Sequence, residues 1–245
     1  MGELIAVLSG KGGTGKTSVC AGIATALADA GTKVLCIDCD VGLRNLDISL
    51  GMSEQGTLSF LDVCSGEYKL AQAGVHPVYS NLRFLTAPMN CNAADVDQKA
   101  FAAMLRQARE LFNYVFLDAP AGLDAGFQLA ARYADRVLLV TGSDPASVRD
   151  ARLAGEVLEK MGKADVRLVV NRVSKKMFEA LGSNVDDVMD QAGLPLIGVV
   201  PEDPGVTLAA AFEKPLLKHK KRGAAATACR RIAKRIQGLS IPIDL

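Results

Sequence analysis

Ile5-Ala6-Val7-Leu8-Ser9-Gly10-Lys11-Gly12-Gly13-Thr14-Gly15-Lys16-Thr17-Ser18 runs from a short apolar stretch through a glycine-rich turn into a segment of helical period. Strand, turn and helix in that order are the context in which a glycine, four variable residues and Gly-Lys-Thr cradle phosphate. The glycines let backbone N–H groups converge as an anion nest, and the helix N-terminus adds its partial positive charge. Lys16 is then placed to reach the β- and γ-phosphates of a nucleotide, and Thr17 to ligate magnesium. Gly10, Lys11, Gly12, Gly13, Thr14, Gly15, Lys16, Thr17 and Ser18 are therefore the expected binding segment for a magnesium nucleotide.

Working outward, runs rich in Val, Ile and Leu at 4–8, 34–37, 82–85, 114–117, 136–140, 166–170 and 196–200 read as strands buried on both faces. Helical period predicts helices over 17–30, 94–112, 125–134, 146–161, 185–191 and 224–237. This alternation implies right-handed βαβ units and a three-layer α/β fold of the P-loop NTPase type, its mostly parallel sheet flanked by helices. No Pro/Gly/Ser linker divides the chain, so residues 1–245 are expected to form a single domain, with 214–245 as a basic C-terminal helix and tail. The least regular part is 51–80, with a short helix expected near 58–63.

Composition supports this class. The 245 residues are 49% apolar, with 28 Lys+Arg against 27 Asp+Glu, which excludes disorder. No window approaches the roughly 20 apolar residues of a membrane span, and Met1-Gly2-Glu3 does not open like a secretory signal, so a cytosolic protein is expected. The six cysteines read as reduced thiols. Near-neutrality hides an asymmetry: nine of the 28 cations and none of the 27 acids fall between Lys214 and Gly238.

Two strand ends deliver acids to the carboxyl edge of the sheet, which lines the ligand crevice in open α/β folds. Val34-Leu35-Cys36-Ile37-Asp38-Cys39-Asp40 places Asp38 and Asp40 on one side, and both are expected at the nucleotide site, the alternative being that one of them caps the next turn. Tyr114-Val115-Phe116-Leu117-Asp118 has the Walker B form, with Asp118 as the expected magnesium residue. The small-residue loop Ala119-Pro120-Ala121-Gly122 follows it.

The second lysine of the loop, Lys11, adds like-charge repulsion unless a strong anion lies nearby. Lys11-Gly12-Gly13-Thr14-Gly15-Lys16-Thr17 resembles the deviant Walker A motif of the MinD/ParA family of ATPases. That resemblance implies ATP and Mg2+ as cofactors, a homodimer formed on ATP, and Lys11 reaching across it to the partner's nucleotide. Gly42-Leu43-Arg44-Asn45-Leu46-Asp47 resembles the first switch of the MinD branch, and Asp118 to Gly122 its second. Val169-Val170-Asn171-Arg172 and Val200-Pro201-Glu202-Asp203 resemble its two adenine-holding segments. By the same resemblance Asp40 positions the attacking water, Lys11, Lys16 and Asp40 form the catalytic set, Thr17 and Asp118 hold the metal, and Asn171, Arg172, Pro201, Glu202 and Asp203 contact the base. A slow ATP hydrolase that positions the division site is implied, together with an activator protein and a division inhibitor.

At the C-terminus the branch pattern continues into an amphipathic membrane-targeting helix, whereas this sequence ends at Leu245. Membrane binding at the inner face of the cell membrane is thus less expected than a cytoplasmic protein. The alternatives are a flagellar-number regulator, a ParA-like partitioning ATPase binding DNA through Lys218, Lys220, Lys221 and Arg222, and an iron–sulfur carrier using Cys36 and Cys39. The last is disfavoured, because i and i+3 on a strand face opposite ways. His76 and His219 are not expected to form a site.

Overall fold

The computed structural model describes residues 1–41, 43–89 and 91–243. Gly42 of the expected first switch and residues 244–245 of the expected tail lie outside the described residues. The elements in order are β1 (Glu3–Leu8), α1 (Lys16–Asp29), β2 (Val34–Asp38), α2 (Leu46–Leu50), α3 (Phe60–Cys64), β3 (Gly74–Val75), β4 (Leu82–Leu85), α4 (Gln98–Leu111), β5 (Tyr114–Asp118) and α5 (Ala125–Tyr133). They continue as β6 (Arg136–Thr141), α6 (Pro145–Lys160), β7 (Val166–Val173), α7 (Lys175–Leu181), α8 (Val185–Ala192), β8 (Leu196–Pro201), α9 (Pro204–Ala211), α10 (Leu216–His219) and α11 (Ala224–Ile236).

Among the described residues the strands form one eight-stranded sheet in the order β3-β4-β2-β5-β1-β6-β7-β8, antiparallel only between β3 and β4. β1 lies between β5 and β6, so the chain winds first to one side of it and then to the other. The loop leaving β1 therefore opens into the crevice where the winding direction reverses, the standard ligand position of such sheets.

Strands apolar on both sides need cover on both faces. On one face α1, α2, α9, α10 and α11 bury Ile23, Leu27, Leu50, Leu217 and Ile232 against the sheet. On the other α3 to α6 and α8 bury Phe60, Phe101, Phe127, Leu158 and Val188. α11 lies directly on α1: a Cβ on Gly22 would stand 2.6 Å from the Cys229 sulfur, so this crossing needs a residue without a side chain. Cys36 belongs to the first core layer and Cys39 to the second, which separates the two thiols across the sheet.

Several helix boundaries differ from the sequence expectation for local reasons. The helix expected from 94 starts at Gln98, because Asp97 accepts hydrogen bonds from the N–H groups of Lys99 (2.8 Å) and Ala100 (3.3 Å) and caps it there. α2, α7, α9 and α10 are additional helices of four to eight residues; α9, as long as the expected α8, is apolar nearly all round and so shows no amphipathic period. The helix expected near 58–63 is α3, opened by a capping box in which Ser59 accepts from the Asp62 N–H and the Asp62 carboxylate accepts from the Ser59 N–H. Of the four cations Lys218, Lys220, Lys221 and Arg222, Lys218 lies in α10 and the other three in the turn that follows it.

No helix among the described residues is long and apolar enough to cross a membrane. The segment after α11 folds back on the domain. Arg235 donates to the carbonyls of Ile197 (2.9 Å), Ile241 (2.9 Å) and Pro242, pinning 239–243 beside the edge strand β8.

Candidate nucleotide site

Three consecutive buried residues of β5, Val115 to Leu117, carry the buried Asp118 to the carboxyl edge, in register with Val7 of β1 and Asp38 of β2. Across the loop, α1 begins at Lys16 directly after Gly15, which has φ +82°. These two placements bring the Lys16 ammonium 2.7 Å from Asp118 Oδ1, the residues being 6% and 1% exposed. Burial alone pulls the Lys16 ammonium down, but the charge and hydrogen bond of Asp118 outweigh it and hold the lysine above its ordinary value. The other carboxylate oxygen, Asp118 Oδ2, is buried without a partner, as are the hydroxyls of Thr14 and Ser9. Buried polar atoms of this kind are uncommon and mark where a ligand or ion belongs.

The two acids of β2 separate in role. Asp38 is fully buried, accepting the Asp40 N–H on Oδ1 (2.9 Å) and the Leu46 N–H on Oδ2 (3.2 Å). It clamps the turn between β2 and α2, which corrects the expectation that both acids face the nucleotide. Burial, reinforced by Asp118 and opposed by the two N–H donors, pushes its carboxyl up to about 7. Asp40 is half-buried at the cluster. Burial raises its carboxyl, Lys16 draws it back down, and Asp118 raises it further. Beyond it Arg44 has φ +46° and donates from Nε to the Thr86 hydroxyl at 2.9 Å, tying the loop to the end of β4.

Lys11 lies outside the buried Lys16–Asp118 pair. Its side chain is 44% exposed, with Nζ 3.7 Å from Asp144 Oδ1. Asp144 caps α6 by accepting from the Ser147 N–H (3.0 Å), with Pro145 as the first helical residue. The Ser147 hydroxyl and, more weakly, Lys11 hold the Asp144 carboxyl below its usual range despite burial.

Beside the loop a cavity of about 800 Å³ is lined by Gly15, Ser18, Asn171, Arg172, Pro201 and Glu202, among others. Both segments expected to hold a base meet here. Arg172 occupies the left-handed region, φ +56°, at an irregularity in the β7–β8 ladder. The Glu202 N–H donates to the Val173 carbonyl at 2.9 Å, joining the two segments. The Asn171 amide, 6% exposed, donates from Nδ2 to the Thr14 carbonyl at 2.7 Å. Asp203 lines the cavity, but its carboxylate is engaged in structure. Oδ1 accepts from the Gly205 N–H (2.9 Å) and Lys220 Nζ (3.0 Å), and Oδ2 from the Ala225 N–H (3.3 Å). Sequence reasoning overlooked Asp144, although an acid before proline at a helix start is a readable capping signal. It also gave no role to Thr14 O, and it read Lys220 as a DNA-binding cation, whereas its ammonium is paired with Asp203, 17 positions away.

His76 is buried and structural, its Nε2 bonded to the Leu50 carbonyl (2.8 Å) while Nδ1 accepts from the N–H groups of Val78 and Tyr79.

Residues 5–216 match the CobQ/CobB/MinD/ParA nucleotide-binding domain. The chain is 34% identical over 244 residues to the septum site-determining protein MinD of Synechocystis, covering 99% of this chain and 92% of that protein. It superposes on MinD of the MinC:MinD cell division complex from Aquifex aeolicus with a TM-score of 0.90 at 33% identity, covering 99% and 98% of the two chains. With the MinD of Pyrococcus horikoshii complexed with Mg-ADP the TM-score is 0.83 at 27% identity, covering 96% of each.

Proposed function

The chain belongs to the MinD/ParA family of nucleotide-binding proteins, in its MinD branch, and from that footing we propose that it is an ATP-driven dimerisation switch that hydrolyses ATP slowly and positions the cell-division site. The observation that carries the reading is the buried Lys16–Asp118 pair at the mouth of the glycine loop, with Asp118 Oδ2 and the Thr14 hydroxyl unpartnered beside it. These residues fit a magnesium nucleotide: Gly10 to Ser18 supply converging N–H groups and a helix N-terminus, Thr17 and Asp118 hard oxygen ligands, and the cavity by Asn171 and Pro201 room for a base. Bound there, Mg-ATP supplies the phosphoanhydride and a cation that offsets its charge.

Lys16 exchanges Asp118 for phosphate oxygens, which leaves Asp118 both carboxylate oxygens for the metal shell. Asp40 orients the attacking water. Lys11, held only by one exposed contact to Asp144, swings across to the nucleotide of a second subunit and neutralises charge there. Asn171, Arg172 and the backbone of Pro201 to Asp203 hold the adenine. Little covalent work falls to the protein, so the acceleration comes from positioning and electrostatics. Residues 1–245 act as one unit in the cytoplasm, answering to an activator protein and a division inhibitor.

Light scattering combined with phosphate release tests the scheme. Asp40→Ala should remain dimeric with ATP and release almost no phosphate, and Lys11→Ala should require more ATP to dimerise. An Asp40→Ala protein that stays monomeric with ATP overturns it. Sedimentation with anionic liposomes and with DNA, each with and without ATP, identifies the surface the switch serves: ATP-dependent retention on liposomes supports this reading, and salt-sensitive retention on DNA alone supports a ParA-like one.

A further inference from the structure

Asn171 is the residue through which the base side of the cavity touches the phosphate side. It sits on β7, 157 positions from the glycine loop, and its Nδ2 donates to the Thr14 carbonyl at 2.7 Å in a buried contact. The contact is close on all sides, since a Cβ on Gly15 would stand 2.3 Å from that same nitrogen. A carbonyl oxygen only accepts, so the amide has one permitted orientation: rotated by half a turn, it would set Oδ1 against Thr14 O. Oδ1 is therefore the atom that Asn171 offers to the cavity it lines.

We propose that Asn171 is a positioning residue of the phosphate loop, holding the Thr14 peptide in its phosphate-ready orientation whether or not a base is present, and that the Thr14 carbonyl in return locks the amide as an acceptor toward the base. The inference rests on the ATP-binding reading above and adds a coupling to it. The carbonyl of Thr14 must point away from the anion for the following N–H groups to point toward it. Among the described residues no loop N–H donates to that carbonyl, which lies between Gly13 and Gly15, both with left-handed φ values, +81° and +82°. Asn171 supplies the donor from the rigid sheet. An amide locked with Oδ1 outward accepts from an exocyclic amine and opposes a carbonyl, so it favours adenine over guanine.

The test separates base reading from loop positioning with a ligand that has no base. Magnesium tripolyphosphate binding is measured by calorimetry beside Mg-ATP and Mg-GTP, for the unaltered protein, Asn171→Ala, and Asn171→Asp, which keeps the shape but loses the donor. Both variants should bind tripolyphosphate about tenfold more weakly, the scale of one lost buried hydrogen bond; Asn171→Ala should also lose preference for ATP over GTP, whereas Asn171→Asp, which still turns an oxygen toward the base, should keep it. In the nucleotide-free state, amide hydrogen exchange of 10–15 should accelerate in both while that of 166–170 stays unchanged. Unaltered tripolyphosphate binding and unaltered exchange in the variants, with ATP binding alone weakened, overturn the proposal and leave Asn171 as a base reader only. If the unaltered protein binds neither ATP nor tripolyphosphate, it is the ATP-binding reading that fails, and this inference with it.

Discussion

Replacing Lys16 by alanine tests the buried pair at the centre of the site, before any nucleotide is present. The substitution leaves the Asp118 carboxylate 1% exposed, with Oδ1 stripped of its 2.7 Å partner and Oδ2 already without one. Water has little access to replace the ammonium, so the cost is that of an uncompensated buried charge, about 3–5 kcal/mol. For a protein of this size that corresponds to a fall of roughly 6–20 °C in Tm, at about 2–4 °C per kcal/mol. Urea denaturation of the nucleotide-free protein in a chelator measures it. The double variant Lys16→Met with Asp118→Leu, which removes both charges and keeps the volume, should recover most of the loss. A single variant destabilised by less than about 1 kcal/mol, as an exposed pair would be, refutes the argument that the two groups are joined in the free protein.

Three further outcomes follow from other contacts. Gly15→Ala places a Cβ 2.3 Å from Asn171 Nδ2 at a backbone with φ +82°, so calorimetry should find Mg-ATP binding lost while the far-ultraviolet circular dichroism is kept. Asp203→Ala removes the cap of α9, the partner of the Ala225 N–H and the counterion of Lys220; chemical denaturation should show a loss of about 2–3 kcal/mol, with Asp203→Asn recovering the cap but not the ion pair. Burial first, and then the nearby Lys218, lower the pKa of His76 below its usual 6.5, while the bond to the Leu50 carbonyl works the other way. The unfolded chain therefore binds more protons just below pH 6.5, and stability should fall with falling pH there, by at most about 1.4 kcal/mol per pH unit. His76→Gln should flatten that decline in melts recorded from pH 7.5 to 5.

The glycine loop, Walker B strand and parallel sheet were legible because each is written in contiguous residues whose period or spacing has a local cause. The capping signals at Asp97 and at Asp144-Pro145 were present in the sequence but went unread, and the start of α4 was misplaced for that reason. What escaped was set by contacts remote in the chain. Asp38 and Asp40 alternate identically on paper, yet the turn into α2 claims both oxygens of Asp38 and leaves Asp40 at the cluster. Asp203 lies in a segment whose pattern points to a base, but its carboxylate is taken by the starts of α9 and α11. Nothing near Asn171 announces that its amide belongs to Thr14. The short helices α7 and α10 span about two turns or fewer, and α9 is apolar nearly all round, so no amphipathic period emerges from them.

The run of nine cations near the C-terminus carries less outward charge than its composition states. Lys220 is fixed on Asp203, Arg230 lies 3.9 Å from Asp29 at the end of α1, and Arg235 is spent on three carbonyls. A cation paired with an internal carboxylate offers a polyanion less than a solvated one, and a guanidinium committed to carbonyls keeps its charge but gives up its hydrogen-bond donors. Any duplex laid along this end of the molecule should therefore show a shallower slope in a plot of log affinity against log salt than nine phosphate contacts, at about 0.9 released ions each, would give. The same three contacts make this end of the chain part of the scaffold, so its charge is displayed in a fixed geometry rather than on a loose tail.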